Sequence, residues 1–415
     1  MKKEVYGLLG ERLVHSYSPE IHAALGDYEY RLFERTEQEL PAFLASDEFT
    51  AINVTIPYKK AVIPYLAGLS PEAEKIGSVN TVTRTPLGLY GDNTDYYGFS
   101  YMLDAAGIAV GGRKCLILGS GGACATARAV VSDRGGEAVV ISRHGENHYG
   151  NLSRHADAEV IVNTTPVGMY PNNGAAPLSL DGFPRLTGVV DMIYNPRRTA
   201  LILDAETRGI PSVSGLSMLV AQAKRANELF FGRPLPDSVI PQVEEAVRRQ
   251  KENVVLIGMP GAGKTTAGQA LAAKLGFGFL DTDEEIERLC GRHPSRILTE
   301  DGEDAFRAVE TEAIRRAGKR SGCVIATGGG AVTRAENYAP LHQNGTIVFL
   351  TRPLEELARG GRPLSAAFGV ETLYAARLPL YETWADVRAV CLRDPAATAD
   401  AILCALGRGA NGGAE

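Results

Sequence analysis

The segment GMPGAGKT at residues 258–265 has the composition of a phosphate-binding loop. It follows the apolar run 254–257 and precedes a stretch that favours a helix. In that setting backbone N–H groups surround phosphates, Lys264 reaches the β- and γ-oxygens, and the Thr265 hydroxyl can bind Mg²⁺. The loop predicts a nucleoside triphosphate site, with a chance glycine turn as the alternative. By itself it does not separate a kinase from an ATPase or a GTPase.

Charged residues after this loop could hold a metal ion and an acceptor. Asp281 and Asp283 close a predicted strand, which would place both carboxylates on one face. One could organise Mg²⁺ and the other contact an acceptor hydroxyl, and an N-cap before the helix 284–290 is the alternative. Arg307 and Glu310 are spaced i, i+3 on a predicted helix, which most simply indicates a surface ion pair.

A second glycine loop, GSGGA at residues 119–123, follows the predicted strand 114–118. Such a loop lets the backbone approach a pyrophosphate, so it predicts a dinucleotide site, with plain packing as the alternative. Arg143 follows the next predicted strand, 137–141, where NAD-binding folds commonly carry an acidic residue. A basic residue there suits the 2′-phosphate of NADP, and a solvated strand-end charge is the alternative.

Polar side chains cluster in three segments before this second loop. Ser16 and Ser18 would face one side of an extended segment, or one of them would cap the helix 20–25. The segment NVTIPYK at 53–59 places Asn, Thr and Lys on one face of a predicted strand, which indicates a site or simply a half-exposed strand. Asn-Thr pairs at 80–81 and 93–94 flank a predicted hairpin, where turn chemistry is the alternative.

The 415 residues are 45% hydrophobic and 22% charged, an ordinary globular composition. The net charge of −6 argues against a nucleic-acid binder. No apolar run approaches the roughly 18 residues of a membrane span, and the N-terminus shows no signal-peptide core. The six cysteines are scattered, with no CxxC pair. This usage predicts reduced thiols, no zinc module and a cytoplasmic location.

Strand and helix patterns alternate along the chain, which predicts an α/β fold with parallel sheets. A charged stretch contains the predicted linker 247–251, and GIAVGG at 107–112 divides the first part again. We predict an α/β substrate-binding domain at 1–106, completed by helices at about 216–246, and a Rossmann-like NADP domain at 107–215. A P-loop kinase-type α/β/α domain follows at 252–407, and 408–415 has the composition of a disordered tail.

Eight motifs in sequence order give the first half a family resemblance. They are SxSP at 16–19, NVTxPxK at 53–59, VNT at 79–81, NTD at 93–95, GxGGA at 119–123, NTTPVGM at 163–169, DMIYNP at 191–196 and GLSMLVAQ at 215–222. Residues 1 to about 245 thereby resemble shikimate dehydrogenase. The resemblance implies NADPH-dependent reduction of 3-dehydroshikimate to shikimate.

This resemblance carries site roles over to matching residues. Lys59 and Asp95 match the family's catalytic pair, with Lys59 favoured as the acid/base. The implied substrate-binding residues are Ser16, Ser18, Thr55, Asn80, Asp95, Tyr194 and Gln222. The implied NADP-binding residues are Gly119, Ser120, Gly121, Gly122, Ala123, Ser142, Arg143, Met192 and Gly215. Two features depart from the family: Tyr96 stands where glycine is usual, and the segment 145–158 is shorter than usual, which leaves the choice between NADP and NAD open.

The second half resembles shikimate kinase from about residue 252 to 407. The resemblance rests on the loop 258–265, DTD at 281–283, the helix with Arg307, ATGGG at 326–330, and the lid-like GGRPL at 360–364 followed by Arg377. It implies Lys264, Asp283 and Arg362 as catalytic residues. The implied ATP-binding residues are Gly261, Ala262, Gly263, Lys264, Thr265, Thr266, Arg362 and Arg393. The implied shikimate-binding residues are Asp283, Arg307, Gly329 and Arg377, and the implied Mg²⁺ ligands are Thr265 and Asp281.

Both resemblances point to one small molecule. The predicted function is a bifunctional enzyme that reduces 3-dehydroshikimate with NADP(H) and then phosphorylates shikimate with ATP and Mg²⁺, without a nucleic-acid or membrane partner. One alternative is quinate/shikimate dehydrogenation with NAD. Another is a fusion in which one half is a non-catalytic module. The sequence does not determine the oligomeric state or whether shikimate passes directly between the sites.

Overall fold

The computed structural model describes residues 4–13, 16–357 and 369–408. The chain divides into two compact units, Met1–Arg248 and Arg249–Glu415, called unit 1 and unit 2 below. A helix, Val239–Lys251, runs through the predicted linker. The lid-like segment 360–364 and residues 409–415 of the predicted tail lie outside the described residues. Within the described ranges no helix is long and apolar enough to cross a membrane, and all six cysteines are free.

Unit 1 begins with a mixed six-stranded sheet in the order β2-β1-β3-β5-β6-β4. Its strands are β1 (Tyr6–Gly10), β2 (Tyr30–Glu34), β3 (Ala51–Val54), β4 (Gly68–Leu69), β5 (Thr81–Thr85) and β6 (Gly88–Asp92). β1 is parallel to β2 and β3, β5 is antiparallel to β3, and β6 is antiparallel to β5. The hairpin predicted between the two Asn-Thr pairs is therefore present. One pair lies at the start of β5 and the other directly after β6, so both lie at the same end of the hairpin.

The second sheet of unit 1 has five parallel strands in the order β11-β10-β9-β7-β8. They are β7 (Lys114–Leu118), β8 (Glu137–Ile141), β9 (Val160–Asn163), β10 (Gly188–Asp191) and β11 (Ser212–Ser214). A six-stranded dinucleotide fold has the order 3-2-1-4-5-6, in which one more strand would flank the position of β8. Here the fully described stretch between β8 and β9 contains only the 3₁₀ helix Tyr149–His155, so β8 is an edge strand.

Helices cover both sheets of unit 1. They are α1 (Ser18–Leu25), α2 (Leu40–Ala45), α3 (Pro71–Ile76), α4 (Asp95–Ala105), α5 (Gly122–Asp133), α6 (Ala200–Thr207), α7 (Leu216–Phe231) and α8 (Val239–Lys251). The apolar strands β7, β9 and β10 are buried on both faces, as expected for a parallel sheet between two helix layers. α1, α7 and α8 share a separate apolar cluster around Ile21, Val220 and Ile240, which attaches the C-terminal helices of unit 1 to the substrate-binding half.

Unit 2 is a parallel five-stranded sheet between helices, in the order β13-β14-β12-β15-β16. Its strands are β12 (Asn253–Ile257), β13 (Gly278–Asp281), β14 (Cys323–Ala326), β15 (Gly345–Thr351) and β16 (Val387–Val390). Its described helices are α9 (Lys264–Leu275), α10 (Thr282–Cys290), α11 (Pro294–Glu300), α12 (Glu303–Gly318), α13 (Tyr338–His342), α14 (Val370–Trp384) and α15 (Pro395–Ala405). Separate apolar clusters cover the two faces of the sheet. The carboxyl ends of its strands form the edge that carries the phosphate-binding loop.

Three local predictions of extended structure were wrong. In NVTIPYK the strand β3 ends at Val54, because Pro57 has no N–H for a ladder bond and the Tyr58 N–H closes a turn onto the Thr55 carbonyl. β13 ends at Asp281, whose carboxylate caps α10, so Asp283 lies on a helix rather than on the strand face. The segment at Ser16 is not extended, because the Ser18 N–H binds the Ser16 hydroxyl as α1 begins.

Candidate active sites

A lysine and an aspartate from separate elements meet in unit 1. Lys59 lies in the turn after β3, and Asp95 is the first residue of α4. Lys59 Nζ is 2.5 Å from Asp95 Oδ2, and the side chains are 27% and 15% exposed. An ammonium group held in this way can stabilise and protonate an oxygen that gains negative charge, and the carboxylate orients it. The structure therefore brings together the two residues that the sequence paired.

Asn80 holds the other oxygen of Asp95. Its Nδ2 donates to Asp95 Oδ1 and to the Thr94 hydroxyl, both at 3.0 Å, and its Oδ1 accepts the Thr94 N–H at 2.7 Å. Gln222 on α7 joins the same cluster, with its Oε1 3.4 Å from Asn80 Nδ2. Four residues predicted as site residues thus lie in one cluster: Lys59, Asp95, Asn80 and Gln222. Thr94, which the sequence analysis treated only as part of a motif, completes the network.

The other predicted substrate-binding residues are Ser16, Ser18, Thr55 and Tyr194. Ser18 is buried in α1, and Ser16 is half-buried just before it. The ring of Tyr194 packs against Tyr17 at a centroid distance of 5.0 Å, and burial raises the pKa of its phenol. Thr55 is half-buried, with its N–H on the Leu9 carbonyl. Within the described residues no hydrogen bond joins Thr55 or Tyr194 to the Lys59–Asp95 pair.

A buried polar group lies behind the cluster, and the sequence analysis had singled out only Asn53 and Thr81 among its members. The Tyr30 hydroxyl donates to Asn53 Oδ1 at 2.9 Å, and Asn53 Nδ2 donates to the Thr81 hydroxyl at 3.1 Å. His22 stacks on Tyr30 at a centroid distance of 3.9 Å, and burial lowers the pKa of His22 to about 3. His22 is therefore neutral at physiological pH. No local pattern identifies this group, because its members come from α1, β2, β3 and β5.

The glycine loop of unit 1 opens α5 at the carboxyl end of β7. Gly119 has a φ of 119°, and a Cβ there would lie 2.7 Å from the Thr164 hydroxyl oxygen, whereas Cβ atoms on Gly121 and Gly122 would meet nothing within 4 Å. The backbone is thus open where a pyrophosphate would approach. Ser120 and Arg143 are exposed, and Ala123, Ser142 and Met192 are half-buried. A Cβ on Gly215 would lie 2.1 Å from the Met192 carbonyl oxygen, so these two predicted residues are in direct backbone contact.

The carboxyl end of β10 carries a buried carboxylate. Asp191 accepts hydrogen bonds from Asn163 Nδ2 at 3.0 Å, the Ile193 N–H at 3.0 Å and the Thr199 hydroxyl at 2.7 Å. Burial raises the pKa of Asp191 to about 6, although these three bonds act in the opposite direction. Asp191 joins the motif at 163–169 to the motif at 191–196 by a hydrogen bond. Part of the residue pattern in these two motifs therefore stabilises the fold.

This carboxylate makes a testable contribution to stability. Because the folded pKa lies above the usual value of 3.8, native protein binds the proton more tightly, and its stability falls as the pH rises from about 4 through about 6. Relative to Asp191→Asn, we expect the free energy of unfolding of the wild type to fall by on the order of 3 kcal/mol between pH 4 and pH 7. Urea unfolding followed by circular dichroism measures this difference. An equal pH dependence in both proteins would contradict the assignment.

The phosphate-binding loop of unit 2 lines a cavity of about 390 Å³. Gly258, Gly261 and Gly263 have φ values of 146°, 84° and 90°, conformations that favour glycine. Lys264 is 8% exposed, and its Nζ donates to the carbonyls of Gly258 and Met259 at 2.9 and 3.0 Å. Ala262 packs into the apolar core below the loop, and Thr265 and Thr266 line the cavity.

Two aspartates line the same cavity as the loop. The Thr265 hydroxyl donates to Asp281 Oδ2 at 2.7 Å, and Asp281 Oδ1 accepts the Asp283 N–H at 2.9 Å. Burial and then the charge of Asp281 raise the pKa of Asp283. Within the described residues no cluster of three or more His, Cys, Asp or Glu side chains could hold a metal by itself. The Thr265–Asp281 pair fits Mg²⁺, which takes few protein oxygens and completes its shell with phosphates and water.

Arg307 on α12 is buried rather than at the surface. Its Nη1 donates to Glu310 Oε2 at 2.6 Å, and Nη2 donates to Glu303 Oε1 at 3.1 Å. The side chains of Arg307 and Glu310 are 4% and 1% exposed. The prediction that these two residues form a surface ion pair is therefore wrong, because the pair is buried. A Cβ on Gly330 would lie 2.3 Å from both terminal nitrogens of Arg307, so the guanidinium needs a glycine at that position.

Arg377 on α14 reaches the same cavity. Its Nη1 donates to the Gly329 carbonyl at 3.0 Å, and the Tyr381 hydroxyl donates to the same oxygen at 2.5 Å. Burial raises the pKa of Tyr381 to about 12, so the phenol stays neutral. A Cβ on Gly329 would meet Pro260 Cδ at 2.5 Å. The loop 328–330 therefore lies directly against the phosphate-binding loop.

Among the described residues of unit 2, the predicted Ala262 and Arg393 are not part of this cavity lining, and Arg393 is exposed in the turn before α15. Arg362 lies outside the described residues. In contrast, His293 and Phe306 line the cavity although the sequence analysis named neither as a site residue. His293 had no recognisable signal, because it sits in a short turn between two helices whose packing decides where it faces.

Comparisons with known proteins show what unit 1 is similar to. A shikimate dehydrogenase of Clostridium beijerinckii, named as NADP(+)-dependent, is 35% identical over 247 residues, which cover 55% of this chain and 92% of the relative. One from Thermosynechococcus vestitus is 35% identical over 269 residues, 57% of this chain and 93% of the relative. The family model described as the shikimate dehydrogenase substrate binding domain matches residues 8–82. This chain belongs to the shikimate dehydrogenase family.

Solved structures of this family share the fold of unit 1. A chorismate mutase/shikimate 5-dehydrogenase fusion protein from Clostridium acetobutylicum has 33% identity and a TM-score of 0.57, covering 60% of this chain and 97% of that one. Shikimate 5-dehydrogenase from Thermus thermophilus, solved in complex with NADP(H) and shikimate, has 30% identity and a TM-score of 0.54, covering 59% and 99%. The predicted α/β fold with a Rossmann-like domain is confirmed.

Unit 2 adds a second family to this shikimate dehydrogenase. The family model described as shikimate kinase matches residues 260–406, from the phosphate-binding loop to the end of α15. Both resemblances stated from the motifs are thereby confirmed: the chain is a shikimate dehydrogenase family member that also carries a shikimate kinase domain.

Proposed function

We propose that this chain reduces 3-dehydroshikimate to shikimate in unit 1 and phosphorylates the 3-hydroxyl of shikimate in unit 2. The observation that carries the proposal is the presence, in one chain, of the Lys59–Asp95 pair and a phosphate-binding cavity with acceptor-side arginines. The hydroxyl that the first reaction creates would be the one that the second phosphorylates.

In the reduction, Lys59 would protonate the substrate oxygen as the carbonyl becomes an alkoxide. Asp95 keeps the ammonium in place, and Asn80 keeps Asp95 in place, so the geometry does not depend on substrate binding. Ser16, Ser18, Thr55, Tyr194 and Gln222 are proposed to hold the substrate's hydroxyls and carboxylate. NADPH, when bound, supplies the hydride; the residues proposed to bind it are those of the glycine loop together with Ser142, Arg143, Met192 and Gly215.

Arg143 is expected to set the preference for NADPH over NADH. It stands exposed after the edge strand β8, free to bind a 2′-phosphate. Arg143→Ala should raise the KM for NADPH roughly tenfold or more, because hydrogen bonds to charged groups contribute about 1.5–3 kcal/mol, and leave the KM for NADH unchanged. His144→Ala, at the neighbouring exposed position, is the matched control in steady-state kinetics. Preferential use of NADH by the wild type would instead favour NAD-dependent quinate/shikimate dehydrogenation.

In the phosphoryl transfer, Lys264 would stabilise the charge on the transferring group, and Thr265 with Asp281 would hold Mg²⁺, which neutralises phosphate charge when bound. The residues proposed for ATP are Gly261, Ala262, Gly263, Lys264, Thr265, Thr266, Arg362 and Arg393. Asp283, which lines the cavity, is proposed to orient the attacking hydroxyl. Arg307, Gly329 and Arg377 are proposed to bind the acceptor, since a guanidinium can bind a carboxylate with two hydrogen bonds.

The test is a single incubation of purified protein with 3-dehydroshikimate, NADPH and Mg-ATP, with the products identified by mass. Shikimate 3-phosphate is the expected product. A reaction that stops at shikimate would contradict the kinase assignment and support a non-catalytic second unit. Unchanged 3-dehydroshikimate would contradict the dehydrogenase assignment, and quinate with NAD would then be the substrate pair to test.

A further inference from the structure

A histidine that the proposed function leaves unused lines the cavity of unit 2. His293 lies in the turn between α10 and α11, and it borders the same cavity as Asp283, Arg307 and Lys264. Its side chain is exposed to that cavity rather than buried in the core.

The hydrogen bonds of His293 fix which ring nitrogen carries the proton. Nδ1 accepts the Ser295 N–H at 3.3 Å and lies 2.7 Å from the Ser295 hydroxyl oxygen. A ring nitrogen that accepts a backbone N–H has no proton, so in the neutral imidazole the proton is on Nε2. Within the part of the chain that the structure describes, Nε2 has no hydrogen-bond partner. The ring thus presents one free N–H donor.

The turn that carries His293 is well anchored. Ile286 of α10, Ile297 of α11 and Phe306 of α12 pack in one apolar cluster, which fixes α11 between its neighbours. Arg292, the residue before His293, forms an ion pair with Asp301 just beyond α11. A donor on such a support loses little conformational freedom when it binds an oxygen, so its hydrogen bond can contribute to affinity.

The two arginines that line the cavity have few free N–H groups, because several of them already donate to protein oxygens. Arg307 already donates through Nη1 to Glu310 and through Nε and Nη2 to Glu303, which leaves two of its five N–H groups. Arg377 donates one N–H to the Gly329 carbonyl. A polyhydroxylated carboxylate presents many oxygens, so a further donor on the cavity wall is needed to match them.

We infer that His293 is a further acceptor-binding residue of unit 2, whose Nε2–H donates to an oxygen of the shikimate acceptor. The inference rests on the proposed kinase function and extends it to a residue outside the set carried over from the family resemblance. The ring acts as a hydrogen-bond donor, and it takes no part in the transfer of the phosphoryl group.

Steady-state kinase kinetics with shikimate and Mg-ATP test this role. His293→Ala should raise the KM for shikimate about 3- to 10-fold, the effect of one hydrogen bond, with the KM for ATP and kcat changed less than twofold. His293→Asn, which keeps a donor, should recover part of that loss. Arg296→Ala is the matched control: it alters an exposed side chain of α11, the helix that follows His293, which pairs with Glu300, and should leave all three constants unchanged.

The outcomes separate this inference from the proposed function. A wild-type protein that does not phosphorylate shikimate would overturn both. A wild-type protein that phosphorylates shikimate, with a His293→Ala variant whose KM for shikimate is unchanged, would overturn the inference and leave the proposed function standing. A KM for ATP that rises as much as the KM for shikimate would also overturn it, because the cavity as a whole would then have been disturbed.

Discussion

Lys59→Ala is expected to lower the kcat for 3-dehydroshikimate reduction by about 10²- to 10⁴-fold, the range typical of a lost general acid. The Nζ of Lys59 is the proton donor in the proposed reaction, and Asp95 holds it at 2.5 Å. The KM for NADPH should stay within twofold, since the glycine loop is on a different sheet. Phosphorylation of added shikimate should also stay within twofold.

The neighbouring Lys60 offers a matched control. It is exposed in the same turn, and Lys60→Ala should leave reduction unchanged. The rate of reduction by Asp95→Asn should fall between the rates of Lys59→Ala and Lys60→Ala. The amide oxygen can still orient Lys59, although the side chain no longer bears a charge. Loss of phosphorylation together with reduction in Lys59→Ala would contradict two independent sites. Reduction that survives in Lys59→Ala would remove Lys59 from the chemistry.

Lys264→Met is expected to lower the kcat for shikimate phosphorylation by about 10²- to 10³-fold or more, the cost of removing a positioned donor from a site of developing charge. Methionine keeps most of the volume of the buried side chain, so the loop loses its ammonium group rather than its packing. Reduction of 3-dehydroshikimate should continue at the wild-type rate, and the combined assay should then accumulate shikimate.

The folding of unit 2 can be checked separately in this variant. The chain has one tryptophan, Trp384, which is buried at the end of α14 against Tyr338. Its fluorescence during urea unfolding therefore reports on unit 2. Lys274→Met, an exposed-lysine change on the same helix as Lys264, is the control for the loss of one positive charge. An unchanged unfolding curve with unchanged phosphorylation in Lys264→Met would contradict the assigned role of the loop.

The sequence predicted what local chemistry can specify. The phosphate-binding loop needs glycine at 258, 261 and 263 because each has a positive φ, so its conformation is encoded within a few residues. The strands β7 and β8 were predicted with their observed bounds, since short apolar runs ending in glycine or polar residues are a local signal. Eight ordered motifs likewise identified the family of unit 1 before its fold was known.

Strand ends and side-chain environments were less predictable. Alternation of polar residues suggested that β3 and β13 continue through Lys59 and Asp283, yet a proline turn ends the first and a helix cap ends the second. Arg307 and Glu310 have the spacing of a common surface pair, and only the packing of α12 against the glycine loop 328–330 buries them. A local sequence pattern does not show which other elements pack over its residues.

The sequence by itself therefore determined the two families, the phosphate-binding loop and the candidate residues for the chemistry. Only the tertiary structure decided that Asn80 holds Asp95 against Lys59, and that His293 lines the cavity of unit 2. The physical reason is the range of the interactions. Backbone conformation depends on neighbouring residues, whereas each of these contacts joins elements distant in sequence, and their meeting depends on the packing of the whole unit.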